Sequence, residues 1–152
     1  MSTSGPHVSI EAPDAEALAQ RLQRFAASVS DARPAFEAML PYLNRGEEQA
    51  WSTSGAALGT HWPPAADPER KVDPRMLVAT GALRASLAGQ TGESERVATS
   101  TELRFGTRVP YARFHEDGTS RMPARPFLGV PDSMSRELVA IMDRYTVGQA
   151  GP

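Results

Sequence analysis

Apolar side chains first recur at a helical period close to the start of the chain. Leu18, Leu22, Phe25 and Val29 fall three or four residues apart behind Pro13 and Asp14, while Glu16, Gln20, Arg21, Gln23 and Arg24 occupy most of the other faces. That spacing predicts an amphipathic helix, because such positions share one side of a helical turn. Ahead of it, the alternation of HVSIE over residues 7–11 predicts a short strand. Asp31 and Pro34 open a second helix in which Phe36, Met39, Leu40 and Leu43 share a side. Pro41 lies inside that helix as an expected kink, and the helix is expected to run on toward Trp51.

The periodicity then stops. Residues 52–74, STSGAALGTHWPPAADPERKVDP, hold four prolines and two glycines with no sustained apolar period, which predicts a long loop. Loops longer than about 12 to 15 residues are usually functional or disordered. Residues 76–87, MLVATGALRASL, predict a short helix leading into a strand. Three short segments follow, residues 87–90, 95–100 and 102–107, set apart by Thr91-Gly92 and Ser100-Thr101. Tight spacing of that kind predicts an antiparallel meander with hairpin connections. A loop carrying Pro110, Gly118, Pro123 and Pro126 comes next, with a short aromatic helix-like turn around Tyr111 and Phe114. Asp132 or Ser133 then caps a last helix striped by Met134, Leu138, Ile141, Met142 and Tyr145, and the tail over residues 146–152 is expected to be flexible. The expected fold class is α+β: a small, mostly antiparallel sheet packed with two or three helices in one domain, plus the long loop at residues 52–75.

Composition sharpens this picture. With 152 residues, 40% hydrophobic and 22% charged, the chain suits one ordinary globular domain. Removing the long loop leaves little core-forming sequence, so burial against other subunits is a plausible source of stability. A net charge of −2 gives no general attraction to nucleic acid or anionic lipid. The absence of cysteine excludes disulfides and thiolate metal sites. Neither a signal peptide nor an apolar run of about 20 residues, the length that crosses a bilayer, is present, so a soluble protein made in a cytoplasm is expected.

Candidate chemistry is sparse. His115, Glu116 and Asp117 form the one tight cluster of possible ligands or acid–base groups, but consecutive side chains diverge and rarely converge on one ion. A small metal-dependent hydrolase built on them is the reading from another class; a polar rim before Gly118 is the plainer one. No nucleophile elbow and no phosphate-binding glycine loop occurs. Trp62-Pro63-Pro64 either presents a polyproline segment or pins the long loop to the body, the latter favoured because an exposed indole is costly. Arg70, Lys71 and Arg75 alternate with Asp67, Glu69 and Asp73 as a solvated loop face. Residues 109–130, VPYARFHEDGTSRMPARPFLGV, look built for docking. Tyr111, Phe114, Phe127 and Leu128 are possible anchors there, and Arg113, Arg121 and Arg125 offer planar donor forks. The prolines would hold Arg125 and Phe127 in a fixed extended shape.

Three blocks in order resemble the phage virion morphogenesis, or tail completion, proteins of the Mu and P2 type. Trp62-Pro63-Pro64 leads to the basic stretch ending at Lys71; LVATGALRASL, residues 77–87, matches a Leu-x-x-Thr-Gly-x-Leu-Arg-x-Ser-Leu motif. Tyr111, Ala112, His115 and Gly118 then match a Tyr-Ala-x-x-His-x-x-Gly turn, followed by Pro-Ala-Arg-Pro-Phe-Leu-Gly at residues 123–129. The connection over residues 117–122 is shorter than is common in that family. The resemblance implies an α+β structural protein, not an enzyme, with no metal or cofactor. It implies a ring, hexameric by likeness to tail terminators, that caps the tail tube, ends its polymerisation and joins it to the neck. Partners would be further copies of the chain, the tail tube protein and neck or connector proteins, with genomic DNA passing the lumen without sequence-specific binding. The protein would assemble in the host cytoplasm and reside in the virion; the alternative is a head-completion or adaptor protein on the portal side. Trp62, Arg84, Tyr111, Arg113, Phe114, His115, Arg121, Arg125, Phe127 and Leu128 are the residues expected at subunit, tail or neck contacts.

Overall fold

The computed structural model describes residues 12–64 and 81–150. The strand expected over residues 7–11, the loop beyond Pro64, and the start of the 76–87 segment lie outside the described residues. Within them, five α-helices and one two-stranded antiparallel sheet form a small α+β fold.

Helix α1, Ala12–Ser30, ends where Asp31 turns the chain, and an Asp31 side-chain oxygen accepts the Arg33 amide at 3.1 Å. Helix α2, Arg33–Ser52, has Pro34 in its first turn, where a missing N–H costs nothing, and continues through Pro41. Helix α5, Asp132–Ala150, packs against both α1 and α2. Gly46 is the close-approach point of that packing, since a Cβ there would fall 1.7 Å from the Met134 terminal methyl. At the other end of the pair, the Tyr145 hydroxyl donates to the Asp31 carbonyl at 2.8 Å, and Ile141 is buried. The last helix's stripe is therefore largely intramolecular packing.

The sheet is smaller than the sequence predicts. Strands β1, Ser94–Ala98, and β2, Leu103–Thr107, pair with Arg96 opposite Phe105, and the tip at residues 99–102 is closed by Thr99, whose hydroxyl oxygen accepts the Glu102 amide. The third expected strand, residues 87–90, is instead the end of helix α3, Ala82–Leu87, and the turn behind it. Leu83 and Leu87 explain this outcome. Four residues apart, they place both side chains in the core, and the Ser86 hydroxyl meets Thr107 Oγ1 at 2.6 Å, seating the helix on β2. Gly89, at φ 78°, turns the chain out of α3.

The core gathers Trp51, Trp62, Leu83, Leu87, Val109, Ala112 and Phe127, with Leu128 packed against it. Trp51 meets the Trp62 ring edge-on at 5.5 Å between centroids, a favoured aromatic geometry, and lies 6.0 Å from Phe127. The amphipathic stripe of α1 is not part of this core. Leu18, Leu22, Phe25 and Val29 remain 45% to 60% exposed although α1 packs against α5.

Candidate assembly surfaces

Part of the segment expected to dock outward is folded inward: Val109, Ala112, Arg125 and Phe127 are buried, while Tyr111, Arg113, Phe114 and Arg121 stay exposed. Helix α4, Ala112–Asp117, follows Tyr111, and an extended run over residues 123–131 returns along it. Extended backbone outside a sheet leaves its N–H and C=O groups in need of partners, and side chains supply them here. Glu116 accepts the Phe127 and Leu128 amides on one carboxylate oxygen, at 3.1 and 3.4 Å. The His115 carbonyl accepts the Arg125 amide at 2.7 Å. Gly118, at φ 75°, permits the reversal; a Cβ there would lie 2.6 Å from the Ala124 amide nitrogen.

The long loop closes over this run from the other side. After Ser52 the chain makes a 3₁₀ turn, Ala56–Leu58, between Gly55 and Gly59. It then inserts Trp62, which is 2% exposed and donates its indole N–H to the Pro126 carbonyl at 2.7 Å. Arg125 is 7% exposed and donates from Nε to the Pro63 carbonyl at 3.0 Å and from Nη2 to the Pro64 carbonyl at 2.9 Å. Phe127 is 1% exposed. Trp62, Arg125 and Phe127 are thus brought together as an internal clasp between two proline-rich segments. This corrects the outward placement of Arg125 and Phe127 that the sequence suggested, and the physical reason is the demand of the proline carbonyls for donors.

The other candidates divide between surface and edge. Tyr111, just before α4, and Phe114 on it are exposed; the Arg113 guanidinium lies 4.8 Å from the Phe114 ring centre and the Tyr111 ring meets His115 edge-on. Arg84 and Arg121 are exposed outside that helix. His115 is half-buried; burial, then the neighbouring Arg125 charge, lowers its pKa, and its Nδ1 is buried without a hydrogen bond. The adjacent acids do not join it: Glu116 holds the extended run and Asp117 is exposed. Among the described residues no group of three or more His, Cys, Asp or Glu is arranged to hold a metal ion. Likewise, no helix among them is long and apolar enough to cross a membrane.

One site escaped the motif reading. Between α2, β2 and α5 lies a groove of about 330 Å³, lined by Leu43, Leu103, Phe105, Leu128 and Leu138, with Glu47 as its acid. Glu47 is 5% exposed, and its Oε1 is buried with no hydrogen bond. Burial raises its pKa from the ordinary value to about 7, the neighbouring Glu48 adds to the rise, and Arg84, Arg96 and the Trp51 indole oppose it. A signal was present in the sequence. Glu47 lies four residues after Leu43 and four before Trp51, so it is a charge on the apolar side of its own helix.

An exposed apolar helix face and an apolar groove are the two apolar surfaces that this small α+β domain leaves open. The sequence model of the phage virion morphogenesis family matches residues 13–146, and the chain belongs to that family. Neither the curated proteins nor the solved structures compared with the chain include a match.

Proposed function

We propose that the protein is a tail terminator or tail completion factor: a structural subunit that closes into a ring on the head-proximal end of a phage tail. The ring, of six subunits by likeness to such proteins, ends polymerisation of the tail tube and joins it to the neck, and it works without catalysis or a cofactor. The observation that carries this reading is the outward stripe of α1. The best amphipathic face in the sequence stays about half exposed in its own subunit, as expected of a surface completed by a neighbour. Tyr111, Arg113 and Phe114 at α4, with Arg84 and Arg121, are further candidates for contact with tube or neck. Arginine stacked beside an aromatic ring is a combination enriched where binding energy concentrates. A net charge of −2 suits a lumen that lets DNA slide past without adhering.

Native mass measurement tests the reading. The purified protein should form a closed oligomer at micromolar concentration and add one such oligomer per tail tube. A chain that stays monomeric and binds no tube would sink it. Recovery on heads but not on tails would instead favour a head-completion protein docked on the portal side.

A further inference from the structure

Two surfaces of this chain leave apolar area open, and one of them holds a buried acid that the Arg84 and Arg96 charges of its own subunit answer only in part. One is the α1 stripe, where Arg21 stands three residues after Leu18 and four before Phe25, so that a cation flanks exposed apolar side chains on a single face. Arg24 continues the basic edge, and among the described residues Arg21 forms no ion pair. The other is the groove between α2, β2 and α5. Its walls are leucine and phenylalanine, and Glu47 is its buried acid, with one oxygen unbonded.

From this complementarity we infer that α1 of a second copy lies in the groove, with its leucines on the apolar walls and Arg21 paired to Glu47. The inference rests on the ring reading and names its interface. A stripe and a groove on different parts of one chain make a head-to-tail contact, the kind that closes into a ring when the rotation allows. A guanidinium suits the partner's role because it is planar, weakly hydrated and able to satisfy a buried carboxylate with two parallel donors. A small-molecule ligand fits less well, since such pockets present several convergent polar groups and this groove has Glu47 alone among its leucine, phenylalanine, valine and glycine lining.

The chain contains no cysteine, which makes cross-linking clean. Leu22→Cys and Val130→Cys chains, mixed and gently oxidised, should give the 22-to-130 heterodimer, because Val130 lines the groove. Arg21→Glu, on an exposed helix face, should leave the monomer folded and raise the dissociation constant of the oligomer about tenfold or more, as removal of one member of a desolvated pair does. Oligomers that form with 22-to-22 links alone, or with no link at position 22, would overturn the α1-in-groove contact while leaving the ring reading intact. A strictly monomeric parent chain would overturn both.

Discussion

Pro63 and Pro64 have carbonyls that no ladder reaches, and both depend on the Arg125 guanidinium. Arg125→Met keeps much of the side chain's length and removes every donor, so the half-buried Pro63 carbonyl and the more exposed Pro64 carbonyl lose their partner and the two segments their tie. The expected loss is about 2 to 4 kcal/mol, as for buried hydrogen bonds to a charged group; urea unfolding of the monomer measures it, and a loss below about 0.5 kcal/mol would show the clasp to be ornamental. Glu47 supplies a second test at this scale. Its pKa is raised to about 7 in the fold, so between the ordinary carboxylate value and about 7 the folded state holds the proton more tightly than the unfolded chain. Stability should therefore fall as pH rises through that window and level off above it, by on the order of 3 kcal/mol at most. Glu47→Gln should flatten that slope of stability against pH, and a slope that survives the change would assign it to another group.

The elements show which parts of the fold are written locally. Helices α1, α2 and α5 follow from apolar spacing and terminal residues, and the β1–β2 hairpin from two short segments around Ser100-Thr101. What spacing could not settle was burial. Leu83 and Leu87 are compatible with either a helix or a strand by period alone, and their common contact with the core, together with the Ser86 to Thr107 bond, decides for the helix. In the same way the α1 stripe is legible as a stripe, but which molecule covers it is not a local property. The inward placement of Arg125 was not legible locally, because proline-rich backbone looks exposed until its carbonyls are assigned partners, and those partners lie more than sixty residues away in the chain. Gly118 tests the importance of that reversal. At φ 75° and ψ 178°, with the Ala124 backbone where a Cβ would go, Gly118→Ala should destabilise by about 2 kcal/mol or more, read as a lower thermal midpoint. Equal stability would mean that the 123–131 run repacks without cost.

At the scale of the whole molecule, an exposed stripe and a small core make subunit stability a function of concentration. Leu18, Leu22, Phe25 and Val29 are roughly half exposed, so covering them is worth about 1 kcal/mol apiece from apolar area alone. A reaction that binds the folded subunit and not the unfolded chain raises the unfolding temperature with concentration by mass action. Raising the protein from about 1 to about 100 μM should therefore lift the thermal midpoint by several degrees, since about 1 kcal/mol moves a domain of this size by about 2 to 4 °C. Leu22→Glu separates this from nonspecific crowding. The residue is exposed in the subunit, so the substitution should leave the dilute midpoint within about 2 °C, as surface changes do. The concentration dependence should disappear, because a carboxylate would then have to enter an apolar contact beside Glu47. A midpoint that lacks concentration dependence in the parent chain would mean that α1 meets its cover on another protein, and the tail tube would be the first place to look for it.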